Sequence, residues 1–344
     1  MGPSRLASIP KEQGRRMQPS EASASRLVDR PLLGVLCLTG GIAIFSVQDL
    51  FMKLLSDRYP VHEAMAIRGV VALPLLLILV GRTGGLRSLR SRQSGLLALR
   101  GAIMLSAYTC YYLGLAALPI TLCISLFFVG PLFITMLSAI FLKEKVGAAR
   151  WAAVTLGFVG LLVTMRPAGD LFDAAALLPV YAGFAYAVSA VLARALKADE
   201  SAQVMAFYSN AIYLAGGVLM GAVLAQAGFA EGEHKSLAFL LRPWSTPTSR
   251  DLLMLAACGV VAAIATVMLT QAYRLAEAST VAPYEYTALI WSLLYGWIIW
   301  GEFPDRVSWI GIAMMVLAGL YALSGEPGSP ARFLGRARSR ARSP

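Results

Sequence analysis

Three charged side chains stand inside long apolar stretches of the sequence. Asp49 belongs to "SVQDLFMK", Arg68 is the seventh residue of its apolar run, and Glu285 stands between two tyrosines in "VAPYEYTALIW". A charge near the centre of a membrane helix costs roughly 2.5 to 3.5 kcal/mol on insertion scales, so each is expected to face a partner or a wet cavity. For Arg68 the open alternatives are a ligand carboxylate or phosphate, Asp49, or Glu285.

Glu285 also follows a predicted break in its helix. Pro283 cannot donate a backbone hydrogen bond, which frees the carbonyl group of Ser279 and loosens the helix there. An apolar setting favours the protonated carboxyl, which suits proton coupling, whereas the charged form suits a cationic ligand. The alternative is an ion pair with Arg68 or Arg274 that serves stability alone.

Asp49 and Lys53 are four residues apart and therefore share one face of a helix. One expectation is a pair at the outer rim of the membrane, where the lysine side chain reaches towards water. The other is that they line a cavity together with their neighbour Gln48.

Aromatic and amide side chains complete the set of binding or coupling candidates. Aromatic rings can stack on a flat or cationic ligand, although packing and contact with lipid are their ordinary roles in a membrane. Amides either line a pathway or hydrogen-bond a neighbouring helix. The full candidate set is Arg68, Glu285, Asp49, Gln48, Tyr108, Tyr112, Asn210, Gln271, Tyr284, Tyr286 and Trp291.

Motifs of catalysis, metal binding and ATP hydrolysis are absent from the sequence. It has no HExxH, GxSxG or P-loop, and its two histidines lie at the edge of a run and in a loop. Its four cysteines stand singly, with no CxxC. No catalytic residue, metal site or cofactor is therefore expected, and an intramembrane enzyme or an ATP-driven pump is disfavoured.

Membrane helices are the elements that must position these residues. Hydrophobic residues make up 58% of the 344-residue chain and charged residues 14%, too little polar surface for a soluble globule. Runs long enough to cross about 30 Å of hydrocarbon occur near residues 32–55, 62–81, 95–117, 121–142, 150–166, 174–194, 203–226, 251–275, 279–300 and 307–324. The sequence predicts an all-α polytopic membrane protein with ten transmembrane helices.

Lysine and arginine are distributed unequally between the two sides of this arrangement. With loops assigned alternately, the side that holds both tails carries 22 of the 30 residues, including those at 82–100, and the other side carries 7. Cytoplasmic loops carry such an excess, so both termini are expected in the cytoplasm. The positive charge is assigned to an anionic lipid face rather than to nucleic acid. Segments 1–31 and 325–344 are predicted to be disordered basic tails.

A repeated phrase relates the two halves of the chain. "IFLKEKVGAARW" and "IIWGEFPDRVSW" align when shifted by 158 residues, which places Glu144 on Glu302, and a shift of 141 residues places Phe45 on Tyr186. Five helices per half invert the second half relative to the first, as in many secondary transporters. The two glutamates are either coupling or gating residues, or clamps between neighbouring helices.

Several segments together resemble the EamA-type branch of the drug/metabolite transporter superfamily. They are "RG" at 68–69, "LRG" at 99–101, "YYLGLAALPITLCISLFFVGPLF" from Tyr111, "KEK" with "RWAAVTLGFVGLLV" from Arg150, and "APYEYTALIWSLLYGWIIWGE" from Ala282. The resemblance covers about residues 32–324 and implies one five-helix repeat at 32–167 and an inverted one at 174–324. The family usually has a proline opposite Pro131, but Leu289 stands there, so the break is expected earlier, at Pro283.

The resemblance also implies a function. Relatives in this branch carry amino acids and other metabolites, including riboflavin and S-adenosylmethionine. The expectation is a secondary transporter of the bacterial inner membrane that works by alternating access, coupled to protons or to exchange. Its partners are a small-molecule substrate and the lipid bilayer, without nucleic acid, and a homodimer is left open. The runner-up is a channel-like facilitator, followed by an intramembrane enzyme.

Overall fold

The computed structural model describes residues 30–143, 147–165, 173–196, 199–227 and 234–324, and within these ranges the chain is helical and forms no strand. The α-helices are α1 (Pro31–Leu55), α2 (Val61–Thr83), α3 (Ser94–Ala117), α4 (Ile120–Phe127), α5 (Val129–Phe141), α6 (Ala148–Met165), α7 (Leu177–Ala195), α8 (Ala202–Ala227), α9 (Lys235–Leu241), α10 (Ser249–Leu275), α11 (Ala278–Val281), α12 (Ala288–Tyr295) and α13 (Arg306–Ser324). Short 3-10 helices form at Leu86–Leu89, Ala174–Ala176 and Ala282–Thr287, and a π-helix at Gly296–Trp300. Glu144 and nearly all of the two tails lie outside the described residues.

Seven helical segments in the described part of the chain are long and apolar enough to cross a membrane. They are α1, α2, α3, Ile120–Phe141, Ala174–Ala195, α8 and α10. The apolar stretches Val154–Thr164 and Arg306–Ala318 are shorter. The expected run at 279–300 is not one continuous helix, because it is divided between α11, a 3-10 helix, α12 and the π-helix. The count of ten crossings stays a prediction.

The two halves of the chain pack against each other helix by helix. α1 lies along α10, α2 along α8, and α3 along α7, so each pair joins one helix from each half. α6 pairs with α13 in the same way. There the backbones approach closely, since a Cβ atom built on Gly160 would lie 2.7 Å from the carbonyl oxygen of Gly311. Small residues allow such contact between membrane helices, where apolar burial alone gives no preference for protein over lipid.

The segment Ile120–Phe141 is broken at Phe128, between α4 and α5. Pro131 cannot donate to the carbonyl of Phe127, which is the acceptor four residues earlier in a regular helix. Gly183 of α7 lies against that carbonyl, because a Cβ atom built there would come within 2.6 Å of the oxygen. The break and the glycine together bring α7 close to α4.

The second break lies at Pro283, as expected from the sequence. The backbone leaves the α-helical form after Val281 and continues as the 3-10 helix Ala282–Thr287. Leu289, opposite the usual proline position, lies in regular α12. Both broken segments border the same interior space, an arrangement used in transporters to expose polar groups within the membrane.

Candidate functional site

A cavity of about 90 Å³, here called the central cavity, lies between the two halves of the chain. Its aromatic walls come from both halves, and Phe45 stacks on Tyr108 with 5.6 Å between ring centres. Both breaks contribute, since Phe127 and Phe128 come from the first and Glu285 from the second. The polar residues of its lining are Ser46, Asp49, Tyr108, Tyr111, Tyr186 and Glu285.

Asp49 reaches the central cavity from α1. Its Oδ2 atom accepts a hydrogen bond from the Tyr111 hydroxyl at 3.0 Å, while the buried Oδ1 atom has no hydrogen-bond partner in the structure. Of the two alternatives for this residue, the pair with Lys53 does not form. The Lys53 Nζ atom instead donates to the carbonyl oxygens of Leu115 and Leu118 at 3.0 and 2.6 Å, because the end of α3 presents unpaired acceptors there.

Glu285 reaches the same cavity from the 3-10 helix. Its carboxylate accepts a hydrogen bond from the Tyr273 hydroxyl of α10, and Tyr186 of α7 lines the same cavity. The alternative of a structural pair with Arg68 or Arg274 is not what the structure shows, because the Tyr273 hydroxyl pairs with the carboxylate instead. Glu285 is 3% exposed, and its carboxylate therefore depends on this donor.

Arg68 lies directly behind the central cavity and is 2% exposed. The Gln48 amide is oriented so that both its nitrogen and its oxygen have hydrogen-bond partners. The Gln48 amide oxygen then accepts from Arg68 Nη1 at 3.1 Å and from the Tyr112 hydroxyl. The guanidinium carbon lies 5.3 Å from the centre of the Tyr108 ring and 4.9 Å from that of Tyr213. Neither Asp49 nor Glu285 hydrogen-bonds it, although Asp49 is near enough for an electrostatic interaction.

The remaining candidates divide by position. Gln48 and Tyr112 belong to the Arg68 cluster, and Tyr108 lines the cavity itself. Asn210 donates to the Ala206 carbonyl of its own helix at 3.0 Å, and Gln271 accepts from Arg274 at 2.7 Å. Three aromatic residues of the second broken segment lie outside the cavity lining and pack against other rings or apolar side chains: Tyr284, Tyr286 and Trp291.

Sequence reasoning missed two polar residues beside these. Arg100 was assigned to a cytoplasmic loop, but it lies in α3 and is 4% exposed. The sequence feature that could have identified it is its position inside the predicted membrane helix 95–117, which is inconsistent with a loop. Tyr186 was aligned with Phe45 by the repeat, and both line the central cavity. The repeat alignment could therefore have identified it as a candidate.

Glu302 joins the second half of the chain to the first. Its Oε2 atom accepts from the backbone N–H of Ile120 at 3.3 Å, at the start of α4. A carboxylate is favoured at a helix N-terminus, where backbone N–H groups are unpaired. The Lys53 Nζ atom lies close by, 5.6 Å from the centre of the Trp300 ring. These contacts close one end of the interface between the halves.

Known proteins similar to this chain are transporters. The sequence profile of the EamA-like transporter family matches residues 32–166 and 174–324. A riboflavin transporter of Vibrio cholerae is 30% identical over 86% of this chain and 94% of its own. An S-adenosylmethionine uptake transporter of Rickettsia bellii is 27% identical over 82% of this chain and 90% of its own.

A protein crystal structure with 18% sequence identity superposes with a TM-score of 0.62, covering 91% of this chain and 100% of that one, which shows a shared fold alone. The profile match is more informative because it covers both halves of the chain separately. The chain, with its apolar helices and its central cavity, belongs to the EamA-like transporter family of membrane transporters, and these are not enzymes.

Proposed function

We propose that this protein is a secondary active transporter that moves a small organic metabolite through the central cavity. The observation that supports this proposal is that two buried carboxyl groups line one cavity, Asp49 from the first half of the chain and Glu285 from the second. Buried ionisable groups within a membrane mark substrate or proton pathways. The absence of P-loop or catalytic motifs in the sequence leaves no ATP-driven step within this chain.

The transport mechanism is alternating access. Ten crossings arranged as two inverted repeats would give the cavity two similar open states, one towards each face of the bilayer. The pairing of each helix with one from the other half supports this, because rocking of the halves would then open one end and close the other. The inequality of lysine and arginine between loops supports an inner-membrane location with both termini in the cytoplasm.

The substrate is a metabolite with a flat conjugated ring. Phe45 and Tyr108 form a stacked pair at the cavity wall, and such surfaces accept planar rings. Riboflavin and S-adenosylmethionine, named for two relatives, both contain a planar ring system. The two carboxyl groups would carry protons or meet a cationic group, so transport is coupled to protons or to exchange.

Reconstitution in liposomes tests this proposal. Vesicles loaded with a metabolite panel that includes riboflavin and S-adenosylmethionine are measured for counterflow, with and without a pH step. We expect saturable counterflow, and a pH step is expected to drive accumulation that Glu285→Gln reduces and the exposed control Glu277→Gln leaves unchanged. Conduction without saturation or counterflow would indicate a channel, and chemical conversion without movement would indicate an enzyme.

A further inference from the structure

A second, smaller cavity of about 20 Å³ adjoins the central one. The two share lining residues, among them Tyr108 and Tyr186, so these side chains border both cavities. Arg100 and Ser189 line only the smaller cavity. A cation therefore lines a space that adjoins the proposed transport route.

The Arg100 guanidinium is bound by neutral oxygen atoms alone. Its Nε donates to the Ser189 carbonyl at 3.2 Å, and its Nη1 to the Met205 carbonyl at 3.4 Å and the Ser209 hydroxyl at 3.1 Å. Its Nη2 donates to the Thr270 hydroxyl at 3.3 Å. Among the residues that the structure describes, no carboxylate is within hydrogen-bond distance of it.

Neutral acceptors do not neutralise a buried positive charge, which remains costly unless an anion joins it. Two of these bonds are also long for N–H···O hydrogen bonds, so an anion could replace them. At the outer edge of the bundle, by contrast, Arg58 meets a carboxylate directly, Asp251 at 3.3 Å. The Arg100 site thus lacks the carboxylate partner that Arg58 has.

Unpaired polar atoms around Arg100 point to a ligand as well. The Ser189 hydroxyl is 1% exposed and has no hydrogen-bond partner in the structure. The Tyr213 hydroxyl is also unpartnered, and Tyr213 lies one helical turn after Ser209, whose hydroxyl accepts from Arg100. A hydroxyl group can donate to an anion held by a neighbouring guanidinium.

We propose that Arg100 and Ser189 form a subsite for a carboxylate or phosphate group of the solute. This deepens the proposed function and rests on it for the identification of the bound solute as the one transported. The conjugated ring lies against Phe45 and Tyr108 in the central cavity, and the anionic group enters the smaller cavity. The substrate class is then a flat aromatic metabolite that bears a carboxylate or phosphate.

Binding of matched compound pairs to the purified full chain in detergent tests the subsite. The pairs are riboflavin with riboflavin 5′-phosphate, and S-adenosylmethionine with its decarboxylated form, and affinity is measured from the ligand-dependent shift in thermal denaturation. Charge-assisted hydrogen bonds to arginine predict that the member with the anionic group binds at least about tenfold more tightly in one pair or both. Equal affinity within both pairs, or no binding by either anionic member, overturns the proposal.

Two variants assign the preference to this subsite. Ser189→Asp places an anion of the protein beside Arg100, and Arg100→Gln removes the charge, so each is expected to abolish the advantage of the anionic member. Ser88→Asp, in the 3-10 helix Leu86–Leu89 outside both cavities, is the control and keeps the advantage. If Arg100→Gln does not fold, Ser189→Asp alone tests the subsite. A folded variant that still binds the anionic member of a pair more tightly overturns the proposal.

Transport measurements separate this proposal from the proposed function. A binding preference that depends on Arg100, without saturable counterflow, would reject secondary transport and leave the subsite standing. Saturable counterflow without any preference for the anionic member would reject the subsite alone.

Discussion

Replacement of Glu285 by glutamine removes one titratable group from the central cavity and preserves its shape. The amide oxygen can still accept from Tyr273, the partner seen in the structure, so the fold is expected to survive. One charge-assisted hydrogen bond becomes a neutral one, a loss of about 1 kcal/mol. The thermal midpoint should therefore fall by only a few degrees.

The effect on coupling is expected to be larger than the effect on stability. One pH unit corresponds to about 1.36 kcal/mol per proton, so a transporter that moves one proton with one neutral solute concentrates it up to about tenfold across a one-unit step. If Glu285 carries that proton, Glu285→Gln reduces the accumulation ratio to about one. Exchange of solute against solute continues, because it requires no net movement of protons.

Liposomes with a one-unit pH step provide the assay, with accumulation and counterflow measured on the same preparation. Glu277→Gln is the matched control, because Glu277 is exposed and lies outside the cavity lining. Accumulation by Glu285→Gln equal to that of the unmodified protein would refute the role of this carboxyl in coupling.

Three further changes have defined outcomes. Arg68→Ala should lower transport without preventing membrane insertion, since it removes the cation behind the cavity; unchanged uptake would exclude it from the site. Gly311→Val should lower the free energy of unfolding by about 1 to 3 kcal/mol, because a Cβ atom at 311 would lie 2.6 Å from the Gly160 carbonyl oxygen; Gly95→Ala, with open space around it, is the control in thermal denaturation. Glu302→Ala removes the carboxylate at the start of α4 and should cost about 0.5 to 2 kcal/mol in the same measurement; an unaltered thermal midpoint would show that this contact contributes nothing.

Helix positions could be predicted from the sequence, because membrane thickness fixes how long an apolar run must be. The first and eighth runs, at 32–55 and 251–275, match Pro31–Leu55 and Ser249–Leu275 within two residues. The break at Pro283 was also predictable, since its cause is local. The π-helix Gly296–Trp300 was not, because hydropathy averaged along the chain carries no information on backbone form.

Partners of the charged residues were harder to predict. Lys53 binds carbonyl groups at the end of α3 rather than Asp49, and Arg100 is buried rather than in a loop. Helices that are apolar on every side give little periodic signal for which face meets protein and which meets lipid. Depth in the membrane can therefore be inferred from such a sequence, but the direction of a side chain requires the packed structure.

Access to the central cavity from each side of the membrane tests the central claim most directly. Ser46 lines the cavity, and Ser46→Cys in a background without the four native cysteines can be labelled with a membrane-impermeant thiol reagent applied to one face at a time. Alternating access predicts that the thiol reacts from either face and that bound solute slows both reactions. Reaction from one face only, or reaction from both faces at rates that solute does not change, would contradict it.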